Sequence, residues 1–132
     1  MTEKSFQTTM IKAFRAAGYY ADNMEVQSAP GWPDIYAASS HRHWLVEVKA
    51  RKIGPQYTVK GLFSPAQLPW WLHYVTVTKA TNLWLVVKTP DELMLHRVYD
   101  ETVWMITHDY VVCEMPWETV PTAKEAVRRI TQ

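Results

Sequence analysis

The sequence predicts an α/β domain with a mixed central β-sheet, and three observations predict it. Residues 3–17 carry apolar side chains at helical spacing. Apolar runs of strand length occupy Asp34 to Ala38, Trp44 to Ala50 and Asn82 to Lys88. A second helix start at Ser64 stands between the last two of those runs. With 132 residues, 48% apolar and 20% charged, the chain suits one folded domain (1–132) with a substantial core.

In the first helix Phe6, Met10, Phe14 and Ala17 share a face with Ile11 and Ala13 alongside, while Lys4, Lys12 and Arg15 take the others. Thr2 suits its N-cap and Gly18 its C′ position. Tyr19 to Ser28 holds a strand, placed at Met24 to Gln27 after a flexible Asp22-Asn23. Pro30-Gly31-Trp32-Pro33 breaks the chain. The two runs flanking Ser39-Ser40-His41-Arg42-His43 then read as a hairpin, with the histidines at a solvated tip. Residues 51–63 read as a mobile basic loop. Ser64-Pro65-Ala66-Gln67 has the form of a capping box opening a helix to about Tyr74, with Pro69 straining its first turns.

Asn82 to Lys88 is almost wholly apolar, as an interior strand would be. Leu93 to Tyr99, Val103 to Thr107 and Tyr110 to Cys113 read as further strands. Thr122-Ala123-Lys124-Glu125 opens a C-terminal helix with Ala126, Val127 and Ile130 on its buried side. Trp70-Trp71 reads as core plus a contact surface.

Net charge is only +1, but it is unevenly spread. Residues 1–66 carry eight Lys and Arg against five Asp and Glu, and residues 67–132 carry six against eight. The basic excess gives weak support to a polyanionic partner. Cys113 is the single cysteine, so no internal disulfide forms, and a reducing cytoplasmic setting is expected. No leader opens the chain and no apolar run nears the ~18 residues of a membrane span, so no membrane partner is expected.

The chemistry concentrates at Gly31-Trp32-Pro33-Asp34 and Glu47-Val48-Lys49. On a strand, Glu47 and Lys49 share a face while Val48 points away. Mg²⁺, or Mn²⁺ in its place, takes one or two carboxylates and completes its octahedron with water and phosphate. Asp34 and Glu47 can supply those carboxylates and the Val48 carbonyl a further oxygen. Lys49 stands where it could position a hydroxide or stabilise a transition state. The competing readings are an Asp34 that merely anchors a turn and an exposed Glu47/Lys49 pair of little energetic value. Leu45, Val46 and Val48 argue against the second, because they make the strand look buried, where idle charges are costly.

This pattern resembles the PD-(D/E)XK nuclease superfamily, most closely the small phage and bacterial VRR-NUC-type nucleases and, behind them, the archaeal-type Holliday junction resolvases. The match is Pro33-Asp34 followed by Glu47-Val48-Lys49, and it extends over residues 3–87; residues 88–132 match no family pattern. The resemblance implies a restriction-endonuclease-like core. It also implies a helix glutamate at the metal site, a place Glu3 fits, and a glutamine opening the helix after the lysine strand, which Gln67 matches. Each has a plainer reading: Glu3 as an acid favoured by the helix dipole, Gln67 as half of its capping box.

The expected function is therefore a Mg²⁺- or Mn²⁺-dependent DNA endonuclease. Asp34, Glu47, Lys49 and Gln67 would be catalytic, and Glu3, Asp34, Glu47 and Val48 would hold metal. Lys12, Arg15, Arg51, Lys52 and Lys60 are candidates for phosphate contacts. Branched DNA and a homodimer follow from the resolvase resemblance, as does a bacterial cytoplasm, phage-encoded proteins included. An exonuclease shares this chemistry. The alternative from another class is a non-catalytic nucleic-acid-binding or protein-interaction module on the same scaffold, suggested by the Trp-rich, acidic second half.

Overall fold

The computed structural model describes residues 2–24, 31–54 and 56–132. Helix α1 (Glu3–Ala16) leads into β1 (Tyr20–Asn23), β2 (Ile35–Ala38) and β3 (His43–Ala50). Helix α2 (Gln67–Thr78) crosses to β4 (Leu83–Lys88), which turns into β5 (Leu93–Arg97). Helix α3 (Asp100–Thr107), strand β6 (Glu118–Val120) and helix α4 (Ala123–Ile130) complete the chain. The six strands lie in sequence order, antiparallel except for the parallel pair β3/β4 that α2 connects. The fold is thus the α/β fold with a mixed sheet that the sequence predicts.

Strand alternation divides the core in two. Trp44, Val46 and Val48 of β3 and Trp84 and Val86 of β4 pack with Phe6, Met10 and Phe14 of α1 and with Ala126, Val127 and Ile130 of α4. Leu45, Leu83, Leu85 and Val87 face the other way, against Trp71 and Val75 of α2 and Met105 and Ile106 of α3. Burial on both faces explains the near-continuous apolar character of β3 and β4. Helix α1 starts where expected: the Thr2 hydroxyl accepts from Ser5 N at 3.1 Å and Ser5 Oγ accepts from Thr2 N at 3.2 Å. It closes through Ala17 at the C-cap, with Gly18 at φ +92 beyond it.

Several sequence-based boundaries are corrected. The first strand is Tyr20–Asn23, so Asp22 and Asn23 are paired residues rather than a flexible lead-in; Glu25 to Gln27 lie outside the described residues. The segment read as a mobile loop packs its far end into the core. Val59 and Leu62 are fully buried, and Lys60–Leu62 form a 3₁₀ turn. Helix α2 continues four residues past Tyr74 and closes on Lys79 in the left-handed region. Val103 to Thr107 is helical. Tyr110 to Cys113 holds one bridge, Thr58 to Val111, before a 3₁₀ turn over Val112–Glu114. Strand β6 was not anticipated.

Candidate active site

The register of the β2/β3 hairpin builds the site. Its last pair is Ile35 with Val46, so one further step sets Asp34 opposite Glu47. Ile35 points to the α1 side of the sheet. Asp34 therefore points to the α2 side, which Glu47 and Lys49 also face. Two carboxylates directly across a strand pair repel. That arrangement costs stability rather than adding to it, which makes the pair a candidate site.

Asp34 is held from several directions. Its Oδ2 accepts from the Val48 amide at 2.9 Å, and its carbonyl accepts from Met24 N at 2.8 Å and from Gln7 Nε2 at 3.1 Å. Gly31, at φ +102, lets its own backbone come close to the start of α2. A Cβ there would lie 2.3 Å from the Ala66 carbonyl oxygen and 3.1 Å from Trp70 Cβ. Trp32 then packs on Trp70 with centroids 5.1 Å apart, and Trp70 stacks on Tyr74 at 4.8 Å. Trp71 is fully buried.

Helix α2 delivers Gln67 to the acids. Its Nε2 donates to Glu47 Oε2 at 2.6 Å, while its Oε1 accepts from Lys49 Nζ at 3.0 Å and from Ser64 N at 2.9 Å. Ser64 Oγ in turn accepts from Gln67 N at 3.3 Å, so the two residues bond each other reciprocally as expected, but α2 itself begins at Gln67, with Ala66 and not Ser64 at its N-cap. Lys49 Nζ lies 3.0 Å from Glu47 Oε2, and their side chains are only 6% and 1% exposed.

The electrostatics of this cluster are unbalanced. Burial pushes the Glu47 carboxyl up to about 8, with Asp34 adding to the rise and Lys49 opposing it. Burial also raises Asp34, against the lowering effect of the Val48 amide and Lys49; the Glu3 charge adds a smaller upward push. Glu47 Oε1 is buried with no hydrogen-bond partner. A lone-pair oxygen left over between two acids that both resist ionisation suits a divalent cation, which would relieve both defects at once. Among the described residues no group of three or more His, Cys, Asp and Glu is gathered to hold a metal. The donor set is two carboxylates, leaving water and phosphate to complete a shell.

The remaining sequence candidates are placed less tightly. Glu3, in the first turn of α1, pairs with Arg51. Val48 presents its N–H to Asp34 and pairs with Val86 in the sheet. Arg51 and Lys52 extend from the carboxyl end of β3, beside the site. Lys12 and Arg15 are nine and twelve residues along α1 from Glu3, about 14 and 18 Å at ~1.5 Å per residue. Arg15 is already engaged, donating from Nε to the Ala21 carbonyl at 3.0 Å. Lys60 is exposed on the 3₁₀ turn. Sequence reasoning missed Gln7. Its position four residues after Glu3, on the same helix face, was the available signal. Arg128 and Arg129 form ion pairs with Glu125 and Glu118.

No protein-family model matches this sequence, and no curated protein matches it. A similar solved structure is that of Archaeoglobus fulgidus Hjc, a Holliday junction resolvase from an archaeal hyperthermophile. It is 17% identical, with a TM-score of 0.51, over 84% of this chain and 97% of the other. The chain thus shares that restriction-endonuclease-like fold, its described residues forming a mixed six-stranded sheet flanked by four helices.

Proposed function

We propose that this protein is a divalent-metal-dependent DNA endonuclease selective for branched DNA, acting as a homodimer with Mg²⁺, or Mn²⁺ in its place. The observation that carries the reading is the buried Asp34/Glu47 pair, with Glu47 Oε1 unpartnered and Lys49 against its other oxygen. The fold shared with a Holliday junction resolvase supports the branched substrate, and a twofold assembly would bring two such sites to one junction.

Asp34 and Glu47 would hold the cation, with Glu3 joining once released from Arg51 and the Val48 carbonyl offering a further oxygen. A bound cation supplies a water of lowered pKa and screens charge on the phosphorus. The protein's own groups do the rest. Lys49 aims its ammonium beside Glu47, where an attacking hydroxide or a phosphoryl oxygen would lie. Gln67 fixes both Glu47 and Lys49 through one amide, and Gln7 and the Val48 amide fix Asp34. Arg51 and Lys52 are placed to meet the substrate backbone, as is Lys60 if the strand runs past the 3₁₀ turn; Lys12 and Arg15 would serve only a long footprint.

The test is cleavage of single-stranded, duplex, flap and four-way-junction DNA with Mg²⁺, Mn²⁺ or EDTA, alongside measurement of solution mass. The reading expects metal-dependent cutting, fastest on the junction, by a dimer. No cutting of any substrate in either metal, with DNA still bound, would instead support the non-catalytic module.

A further inference from the structure

Beyond the carboxyl ends of β3 and β4 lies a second feature, a cleft of about 400 Å³ lined by Ala50, Arg51, Lys52, Lys88, Thr89 and Pro90. Ala50 pairs with Lys88 in the register, and Arg51 N donates to the Lys88 carbonyl at 3.0 Å, so the two chain ends leave the sheet side by side. Three cationic side chains thereby converge on one cleft.

Their charge is poorly neutralised. Arg51 pairs with Glu3, but among the described residues neither Lys52 nor Lys88 has an ion-pair partner. The Lys88 ammonium donates instead to the carbonyl of Thr89. The nearby acids Asp91 and Glu92 line a different cleft, with Thr119, Val120 and Pro121. Lys52 follows Lys49 by three residues, about 10 Å of extended chain at ~3.3 Å each. Ala50 and Lys88 belong to the α1 face of the sheet, opposite Glu47 and Lys49, so a strand whose reacting phosphate lies at those two meets the cleft where it rounds the carboxyl ends of β3 and β4.

We propose that Lys88, with Lys52 and Arg51, forms a phosphodiester subsite that grips the DNA backbone next to the reacting phosphate. The inference rests on the nuclease reading and adds a residue from β4 to the substrate-binding surface. The subsite takes the charge of the backbone and reads no bases.

Fluorescence anisotropy of a labelled four-way junction and a duplex, in EDTA so that neither is cut, tests it across about 0.05 to 0.2 M salt. One lost phosphate contact lowers the log–log salt slope by about 0.9, which is about eightfold in affinity at ~0.1 M salt. Lys88→Ala should show that change on both DNAs, a Lys52→Ala and Lys88→Ala double variant about twice the slope change, and Lys88→Arg should restore binding. Circular dichroism confirms that each variant is folded. A Lys88→Ala protein with wild-type affinity and slope overturns the subsite while the nuclease reading stands. Wild-type protein that neither binds DNA nor cuts it in Mn²⁺ overturns the nuclease reading, and the subsite with it.

Discussion

Gln67→Leu tests whether the glutamine that opens α2 holds the acid cluster together. The substitution keeps the side chain's bulk and removes three hydrogen bonds: to Glu47 Oε2, from Lys49 Nζ and from Ser64 N. The bond from charged Lys49 is worth about 1.5–3 kcal/mol, while those with Ser64 N and with Glu47, raised to about 8 and mostly protonated at pH 7, are worth about 1 kcal/mol each. The Glu47–Lys49 contact at 3.0 Å survives, and Gln67 is only half-buried, so water replaces part of the loss. A net cost of about 2–4 kcal/mol remains. Unfolding entropy of ~2.1 cal/mol/K per residue gives about 0.28 kcal/mol/K for 132 residues, so the midpoint should fall by about 7–14 °C. Thermal unfolding followed by circular dichroism in EDTA reads this without interference from metal. DNA cleavage in Mn²⁺ should drop about 10–100-fold, as it does when groups that orient metal ligands are removed. Ser64→Ala is the control: it loses only the hydroxyl half of the reciprocal pair, about 1 kcal/mol, and should cut DNA close to the wild-type rate. A Gln67→Leu midpoint within about 2 °C of wild type, a shift of under ~1 kcal/mol, would refute the reasoning.

Other consequences follow from the same geometry. Asp34→Asn should abolish cleavage yet raise metal-free stability at pH 8 by about 0.5–1 kcal/mol, because it removes a like charge opposite Glu47; denaturant titration in EDTA checks the sign. Gly31→Ala combines a left-handed φ with a Cβ 2.3 Å from the Ala66 carbonyl oxygen, and should cost about 2–3 kcal/mol in a urea titration while lowering cleavage through displacement of Asp34. His96 is 3% exposed and its pKa is lowered to about 4 by burial. The unfolded chain therefore takes up a proton first, and stability present at pH 7 is lost as pH falls from ~6.5 to ~4, by about 3 kcal/mol. Glu47, raised from 4.5 to about 8, contributes the opposite slope over most of that window, so urea titrations at several pH values read the His96 contribution as the difference between wild type and His96→Gln, with wild type losing about 3 kcal/mol more on acidification.

The hairpin and the site were legible because their signals are local. A short Gly-Pro break, a fixed spacing between Asp34 and Glu47 and alternation along β3 determine which side chains share a face. The reciprocal pairing of Ser64 with Gln67 was visible too, but the glutamine's second use was not. That Gln67 reaches Glu47 and Lys49 depends on where α2 docks across β3, a long-range fact. Helix α3 was misread because Val103, Trp104, Met105 and Ile106 are residue types equally at home in strands. The better clues were Asp100 and Glu101 in its first turn and Thr102, whose Oγ1 accepts from Tyr99 N at 3.3 Å. Strand β6 is three residues long and ends beside Pro121, too short to show a period. In residues 59–63, Lys60 and Gly61 hid the burial of Val59, Leu62 and Phe63 around them.

Titration calorimetry with Mn²⁺ on the wild-type, Asp34→Asn and Lys49→Ala proteins, paired with DNA cleavage by each, addresses the central claim most directly. If Asp34 and Glu47 hold the cation and Lys49 serves the reaction, wild type binds Mn²⁺ and cuts DNA. Asp34→Asn then loses both binding and cutting, while Lys49→Ala keeps binding and loses cutting. Undiminished Mn²⁺ binding by Asp34→Asn, or wild-type cleavage by Lys49→Ala, would contradict the account.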